Sequence, residues 1–242
     1  METAHDDAGP GPRLVELQIA DEPAAWASAG FTVVDRTVRI GSVDIRLTGR
    51  DADDPAVRGI TGWMLGGLTT EGDEIDGLPT DCRSEVATST TDGDTSEGIG
   101  PAGSRQAGHG NGTVGLDHVV VLTPDLERTI AAVEATGLDL RRIRETQSYG
   151  SPMRQAFFRL GPTVLEVVSG DTGTGQPATD APATWFGLAV DVDDLDQTAA
   201  VLGDGLGSIK VAVQDGRRIA TFRHQHFDIS VPIAAMDHHA GR

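Results

Sequence analysis

The sequence predicts an α+β protein of paired strand–helix–strand–strand–strand (βαβββ) modules, preceded by an additional degenerate βαβββ-like unit. The main observation is a repeat, since GLDHVVVLTPDLE at 115–127 and TWFGLAVDVDDLD at 184–196 each resemble a strand that leads into a helix. Later, RQAFFRLGPTVLEV at 154–167 and RIATFRHQHFDISV at 218–231 share identical residues without a gap. Repetition at roughly 65–70 residues is too long for a solenoid and fits paired modules.

The N-terminal part has the same order of elements with a shorter helix. LVELQIA alternates in polarity, as a half-buried strand does, and PAAWASAG predicts a short helix that ends at Gly30. Beyond it lies a stretch rich in Ser, Thr, Gly and Asp, which buries too little apolar surface to become ordered. We therefore divide the chain into a disordered lead, a degenerate module, a flexible linker, a pair of βαβββ modules and a tail: 1–12, 13–77, 78–114, 115–234 (modules 115–170 and 184–234) and 235–242.

Helix capping residues support the two later modules. Thr123 or Asp125 is expected to cap the first helix, and Gly137 to end it. Asp193 or Asp194 is expected to cap the second. Both modules therefore have the order strand, helix and three further strands.

Bulk composition excludes several classes of partner. The formal net charge is −18, which repels nucleic acid and anionic membranes, so a small-molecule ligand is the expected partner. Cys82 is the only cysteine, so the chain has no disulfide framework. The N-terminus lacks the pattern of a secretion signal, and no apolar run is long enough to span a membrane. We expect a cytoplasmic protein.

Strand alternation places two polar residues of the first module on one face. His118 and Glu166 each lie between apolar neighbours that should face the helix. An imidazole beside a carboxylate suits Zn, Ni, Mn or Fe. In the second module the repeat places Gly187 opposite His118 and Ser230 opposite Glu166. The residues thus allow either a weakly held divalent metal or a metal-free polar pocket.

The segments GLDHVVVLTPDLERT, RQAFFRLGPTVLEVV and WFGLAVDVDDLDQTA resemble the vicinal oxygen chelate superfamily, also called the glyoxalase/bleomycin resistance/dioxygenase family. The resemblance covers 115–234 well and 13–68 weakly. It implies modules that curl around a cavity, where four inward side chains usually hold a divalent metal, with His118 and Glu166 at two of these positions. Family cavities are often completed between chains, which implies a homodimer.

The resemblance also implies an activity. It suggests a glyoxalase-like lyase, isomerase or dioxygenase acting on a small oxygenated metabolite, with Glu166 as the catalytic residue that transfers a proton. The alternatives are a metal-free protein that sequesters a small molecule, as in the bleomycin resistance branch, and a non-catalytic relic.

Further side chains are candidates for substrate contacts. Strand alternation places one group of them on the cavity face: Trp185, His226, Asp228 and Ser230. Arg154 and Arg218 occupy matching positions of the repeat, where they would clamp an anionic group or form surface ion pairs. Trp185 would stack on a planar ligand or anchor the core.

Overall fold

The computed structural model describes residues 11–51, 54, 57–68, 72–83, 108–148, 151–170 and 180–238. Most of the predicted lead and of the predicted linker lie outside these residues. The described chain forms two mixed β-sheets and three α-helices, and one buried apolar cluster takes side chains from both sheets. This architecture confirms the predicted α+β class. None of the described helices has the length and apolar character needed to span a bilayer.

The N-terminal sheet has six strands in the order β2-β3-β1-β4-β6-β5. Its elements are β1 (Arg13–Ile19), α1 (Pro23–Ser28), β2 (Thr37–Ile40), β3 (Val43–Leu47), β4 (Ile60–Gly66), β5 (Glu74–Ile75) and β6 (Leu78–Arg83). Strands β1 and β4 are antiparallel, β3 runs parallel to β1, and β6 runs parallel to β4. The unit is therefore a pair of shortened halves related across β1 and β4, rather than one degenerate module.

The C-terminal sheet has eight strands in the order β12-β13-β14-β11-β7-β10-β9-β8. Its first half contains β7 (Thr113–Leu122), α2 (Leu126–Glu134), β8 (Leu140–Ser148), β9 (Ser151–Leu160) and β10 (Thr163–Gly170). Its second half contains β11 (Thr184–Val192), α3 (Leu195–Leu202), β12 (Lys210–Val211), β13 (Arg218–Thr221) and β14 (Ile233–Asp237). Each half is a βαβββ module, and the antiparallel strands β7 and β11 join them.

Two predicted boundaries need correction. Strand β6 lies inside the range 78–114 that the sequence analysis assigned to a linker, because its backbone pairs with β4. Strand β14 extends to Asp237, so the predicted tail at 235–242 starts too early. Both strands are short, so neither gives a long alternating pattern in the sequence.

The helices begin as their capping residues suggest. Asp125 accepts a hydrogen bond from the backbone N–H of Arg128 at 3.0 Å. Asp194 accepts one from the backbone N–H of Gln197 at 3.1 Å. In each module the second of the two proposed residues is the cap. The two helices begin in the same way, so the strands that precede them, β7 and β11, lie in equivalent positions of their modules.

The pleat of the C-terminal sheet separates the core from the site. Val119, Val121, Leu165 and Val167 are fully buried in the shared core. The alternate residues of the same strands point to the opposite side. We call that side the cavity face, and define it as the face of the C-terminal sheet that bears His118 and Glu166.

Candidate functional site

His118 and Glu166 lie together at the centre of the C-terminal sheet. In the parallel ladder between β7 and β10, Val164 pairs with His118 and Glu166 pairs with Val120. This register brings His118 Nε2 to 3.6 Å from Glu166 Oε2, and both side chains are largely buried. The distance is longer than a hydrogen bond, so the two polar atoms face each other without a direct bond.

Asp117 orients the imidazole of His118. Its Oδ2 lies 2.7 Å from His118 Nδ1. Adjacent residues of a regular strand point to opposite faces, but His118 pairs with Ala189 while Leu116 pairs with Val190. Asp117 is therefore the extra residue of a β-bulge, which lets its carboxylate reach the neighbouring ring. Because of the bulge, Asp117 is a hydrogen-bond partner of His118.

Arg217 holds Asp117 in turn. Its side chain is only 3% exposed, and Nη1 donates to Asp117 Oδ1 at 2.9 Å. Arg217 also binds Asp191 and the backbone carbonyl of Asp237. Burial acts to raise the pKa of Asp117, but the hydrogen bond and charge of His118, with the charge of Arg217, lower this pKa to about 2. Asp117 is therefore ionised at neutral pH.

Gln155 fixes the other side of Glu166. Its amide Nε2 donates a short hydrogen bond to Glu166 Oε1, which leaves Oε2 for His118. Within the described residues, Gln155 Oε1 is buried and has no hydrogen-bond partner. The resulting row of side chains runs from Gln155 through Glu166, His118 and Asp117 to Arg217.

The second half of the sheet has no donor atoms at the matching positions. Val120 and Ala189 are equivalent, because Gly187 pairs with Val120 as Ala189 pairs with His118. Glu166 pairs with Val120, and Ala234 pairs with Ala189. The residue opposite Glu166 is therefore Ala234, and the predicted equivalence with Ser230 is wrong. Gapless alignment failed because the chain between β13 and β14 does not continue as a strand.

Gly187 is held in place by close packing. A Cβ atom at this position would lie 2.5 Å from the carbonyl oxygen of Pro232, which real side chains do not tolerate. The matching position of His118 thus cannot carry a side chain unless the backbone moves. The close approach of the Pro232 carbonyl therefore explains why the second module has no metal-ligating side chain at this position.

The divalent metal that the resemblance implies needs more donors than the described residues supply. Only His118 Nε2 and Glu166 Oε2 converge, whereas Gly187 and Ala234 offer nothing. In the part of the chain that the structure describes, no three His, Cys, Asp or Glu side chains are grouped to hold a metal ion. A divalent ion held by two protein ligands would bind weakly. The predicted metal ligands are therefore together, but their donor set does not fit a tightly held metal.

The structure places three predicted substrate contacts away from this pair. His226, Asp228 and Ser230 were expected on an inward strand, but the chain forms a short 3-10 helix at His224–Phe227, and Asp228 has a left-handed backbone. Asp228 binds Arg50 and Arg58, while Ser230 accepts a hydrogen bond from the backbone N–H of Gly59 at 2.8 Å. Asp228 and Ser230 thus join the N-terminal and C-terminal units, and none of the three residues lies on the predicted inward strand.

Trp185 lies on the core side rather than on the cavity face. It pairs with Val121, while Gly187 pairs with Val120, so Phe186 is the extra residue of a second bulge. The bulge reverses the alternation that the sequence predicts for Trp185. Its ring packs edge-on against Trp63, with 4.9 Å between the ring centroids. Of the two roles considered, the core anchor is the one that the geometry gives.

Arg154 and Arg218 form matching ion pairs with the first helical turns. Arg154 Nη1 lies 2.6 Å from Glu127 in α2, and Arg218 Nη1 lies 2.8 Å from Asp196 in α3. Arg154 pairs with Ser169, whose alternation is opposite to that of Glu166, so it faces away from the cavity face. Their shared register reflects a shared structural role.

Sequence reasoning missed several residues of the site. Asp117 was hidden by the bulge. Gln155 lies only 11 residues before Glu166, but strand alternation alone does not reveal that their side chains pair. Beside them the face opens into a cavity of about 410 Å³. It is lined by Arg142, Arg144, Phe157, Val213, Gln214 and Asp215. The alternation of Arg142 and Arg144 was the one available signal for this wall.

Comparisons with known proteins agree with the fold. Residues 117–221 match the family model of the glyoxalase/bleomycin resistance protein/dioxygenase superfamily. No protein of curated function matches the sequence. Among solved structures, a methylmalonyl-CoA epimerase from Mycobacterium tuberculosis is 18% identical and matches 52% of this chain and 89% of its own, but its TM-score of 0.41 is too low to carry an argument.

Two further structures resemble the whole chain. A variant of 4-hydroxymandelate synthase from Streptomyces coelicolor is 14% identical, with a TM-score of 0.61, over 96% of this chain and 94% of that protein. A fusion of a xylose isomerase-like TIM barrel with 4-hydroxyphenylpyruvate dioxygenase is 12% identical, with a TM-score of 0.56, over 96% of this chain and 50% of that protein. At these identities the likeness concerns the fold alone. Residues 117–221 are thus similar to the glyoxalase/bleomycin resistance protein/dioxygenase superfamily.

Proposed function

We propose that the protein binds a small oxygenated metabolite on the cavity face, and that His118 and Glu166 transfer a proton to and from it without a resident metal. The observation that carries this proposal is the distance of 3.6 Å between His118 Nε2 and Glu166 Oε2. The other polar atom of each side chain is already hydrogen-bonded. Asp117 engages the imidazole through Nδ1, and Gln155 engages Oε1 of the carboxylate. Both remaining atoms therefore lie on the cavity face, where Glu166 pairs across the strands with Phe157, which lines the cavity.

The two residues take different roles in the proposed reaction. Glu166 Oε2 accepts a proton from a carbon next to a carbonyl group of the ligand. His118 Nε2, when protonated, donates to the carbonyl oxygen as negative charge develops there. Asp117 and Arg217 are positioning residues, since they keep the imidazole in one orientation.

A proton-exchange measurement tests the reaction. Hydroxyacetone and dihydroxyacetone are incubated with the protein in D₂O, and loss of the carbon-bound proton is followed by ¹H NMR. We expect exchange with the natural protein, and a decrease of about 100-fold or more in Glu166→Gln and His118→Ala. Glu16→Gln is the matched control, because Glu16 occupies in the N-terminal sheet the position that His118 occupies in the C-terminal sheet.

Metal content separates the proposal from the usual chemistry of the superfamily. The protein is purified without chelators, its metal content is measured, and exchange is compared before and after treatment with EDTA. We expect exchange that survives EDTA. A requirement for added Zn, Ni, Mn or Fe would contradict the metal-free part of the proposal.

A binder without catalysis is the second candidate. It is favoured by the neutral wall of the second module, where Gly187, Ala189 and Ala234 supply no proton-transferring group. Ligand-induced thermal stabilisation with no exchange would support this reading, since a ligand at 100 times its Kd stabilises by about 2.7 kcal/mol. The predicted homodimer and cytoplasmic location remain predictions, which sedimentation and fractionation would test.

A further inference from the structure

Two arginines lie on the cavity face at the edge of the C-terminal sheet. In the antiparallel ladder between β8 and β9, Arg142 pairs with Phe157 and Arg144 pairs with Gln155. Phe157 pairs in turn with Glu166 on β10. Residues that pair across strands share a face, so both arginines lie on the same side as Glu166. Two strand spacings, about 10 Å, separate β8 from β10.

The arginines form one wall of the cavity of about 410 Å³. Phe157 forms the floor, and the segment that connects β12 and β13 forms the opposite wall through Val213, Gln214 and Asp215. Val213 is 68% exposed, so it presents an apolar surface to the space. The cavity therefore combines two guanidinium groups with an apolar floor and an opposite wall in which Val213 lies beside the polar Gln214 and Asp215.

The two arginines belong to a strongly acidic chain. Asp and Glu outnumber Lys and Arg by 37 to 19, and eight described arginines have a carboxylate at ion-pair distance. Within the described residues, neither Arg142 nor Arg144 has a carboxylate at ion-pair distance, and this includes Asp215 across the cavity. Two neighbouring guanidinium groups without a counter-ion attract an anion.

We propose that Arg142 and Arg144 form a subsite for the oxyanion of a ligand, a carboxylate or a phosphate, whose apolar body lies on Phe157 and Val213. The subsite deepens the proposed function, on which it rests, because it assigns the metabolite to the class of small anions. Guanidinium groups bind carboxylate and phosphate oxygens through paired N–H donors. The oxygenated end of such a ligand then extends across the sheet toward Glu166 and His118.

Binding of simple probes tests this subsite. Benzoate and phenyl phosphate carry the two oxyanions on the same ring, and benzamide is the neutral match for benzoate. Their Kd values are measured by NMR titration at low salt with the natural protein, the double variant R142Q/R144Q and the control R141Q/R159Q. Arg141 and Arg159 line a different depression, so the control removes the same charge elsewhere.

We expect benzoate or phenyl phosphate to bind the natural protein, and benzamide to bind at least about tenfold more weakly, because charge-assisted hydrogen bonds are lost. R142Q/R144Q should raise the Kd of the anion about tenfold or more, while R141Q/R159Q should change it less than about twofold. The tighter of the two anions identifies the oxyanion as carboxylate or phosphate.

Equal binding of benzoate and benzamide would overturn the subsite, as would an equal loss of binding in both double variants. The comparison of the two probes uses the natural protein, so it decides even if a variant is unstable. The double variant His118→Ala, Glu166→Gln separates the two proposals. If it keeps benzoate binding while no compound exchanges protons with the natural protein, the subsite stands and the proposed reaction fails.

Discussion

Glu16 and Arg46 occupy in the N-terminal sheet the positions that His118 and Glu166 occupy in the C-terminal sheet. Glu16 pairs with Met64 after a bulge, as His118 pairs with Ala189 after a bulge. In each sheet a second bulge follows on the partner strand. The equivalent positions of the two sheets are therefore Val15 and Asp117, Glu16 and His118, Arg46 and Glu166, Thr61 and Phe186, Gly62 and Gly187, Asp81 and Ala234.

The same backbone holds opposite kinds of chemistry. Arg46 binds Glu16 through two hydrogen bonds of 3.0 and 2.8 Å, so the N-terminal pair satisfies itself. The C-terminal pair leaves 3.6 Å between its facing atoms, and its satisfied bonds all lie on the outer sides. Because Glu16 and Arg46 hydrogen-bond each other, this pair needs no ligand. His118 Nε2 and Glu166 Oε2 are not bonded to each other, so a ligand or a proton is needed to complete their hydrogen bonds. We therefore place the proposed site in the C-terminal sheet.

The largest expected difference between the sheets concerns their buried charges. Arg217→Met should lower the free energy of unfolding by about 3–5 kcal/mol, because it leaves Asp117 charged and buried. Arg46→Met should cost about 1 kcal/mol, since the Arg46 side chain is half exposed. Urea unfolding of both variants measures the two values. Equal losses would show that the two networks are buried alike and would break the comparison.

A smaller effect is expected at the two equivalent glycines. Gly187→Ala should destabilise the protein by about 1–3 kcal/mol, because its Cβ meets the Pro232 carbonyl at 2.5 Å. Gly62→Ala should be nearly neutral, because its Cβ would meet the Pro79 carbonyl at an ordinary 3.4 Å. Thermal unfolding of the two variants compares them. A tolerated alanine at 187 would contradict the steric account of the missing ligand.

The pH dependence of stability should report Asp117. Its folded pKa of about 2 lies below the ordinary value of 3.8, so its stabilisation is present above pH 4 and is lost as the pH falls toward 2. The shift corresponds to about 2 kcal/mol. Unfolding free energies between pH 2 and 5 should fall more steeply for the natural protein than for Asp117→Asn. Parallel profiles would mean that Asp117 is not stabilised in the folded protein.

The smallest expected effect lies where the N-terminal sheet meets the chain that precedes β7. His109, which sequence composition places in a solvated linker, accepts a hydrogen bond from the Thr32 N–H at 3.0 Å, and its Nε2 lies 2.9 Å from the Arg39 carbonyl. Burial lowers the pKa of His109. Its contribution is therefore present above the unfolded pKa, about 6.5, and is lost as the pH falls below it.

Hydrogen exchange checks this contact. The protection factor of the Thr32 amide should decrease between pH 7.5 and 5, by no more than about tenfold, in the natural protein. His109→Asn retains an acceptor near Nδ1 and cannot be protonated, so its protection should vary less with pH. A stronger pH response in the variant would exclude His109 as the titrating group.

Much of the fold follows from local patterns in the sequence. Alternation around His118 and Glu166 predicts their shared face, and Asp125 and Asp194 mark the starts of the helices. The superfamily resemblance and the α+β class are confirmed. These features depend on residues that are close in sequence, where side-chain periodicity and capping chemistry are visible.

The errors come from irregular backbone geometry and from contacts between residues that are distant in the sequence. A β-bulge adds one residue to a strand and reverses the alternation of side chains beyond it. Trp185 therefore lies in the core rather than on the predicted cavity face, and Asp117 lies beside His118. A left-handed residue at Asp228 ended the expected strand and displaced Ser230. Neither event has a strong local signature. The partners of Arg217 also could not be inferred, because Asp117 lies 100 residues away.

The one-sided arrangement of the cavity face has a stereochemical consequence. All proton-transferring groups of the proposed site belong to the first module, and the second module presents glycine and alanine at the matching positions. A proton that Glu166 removes from a ligand carbon returns from the same side. Inversion of a stereocentre requires a second acid or base on the opposite side of that carbon. The proposed reaction therefore exchanges hydrogen with retention of configuration and leaves the handedness of a chiral ligand unchanged.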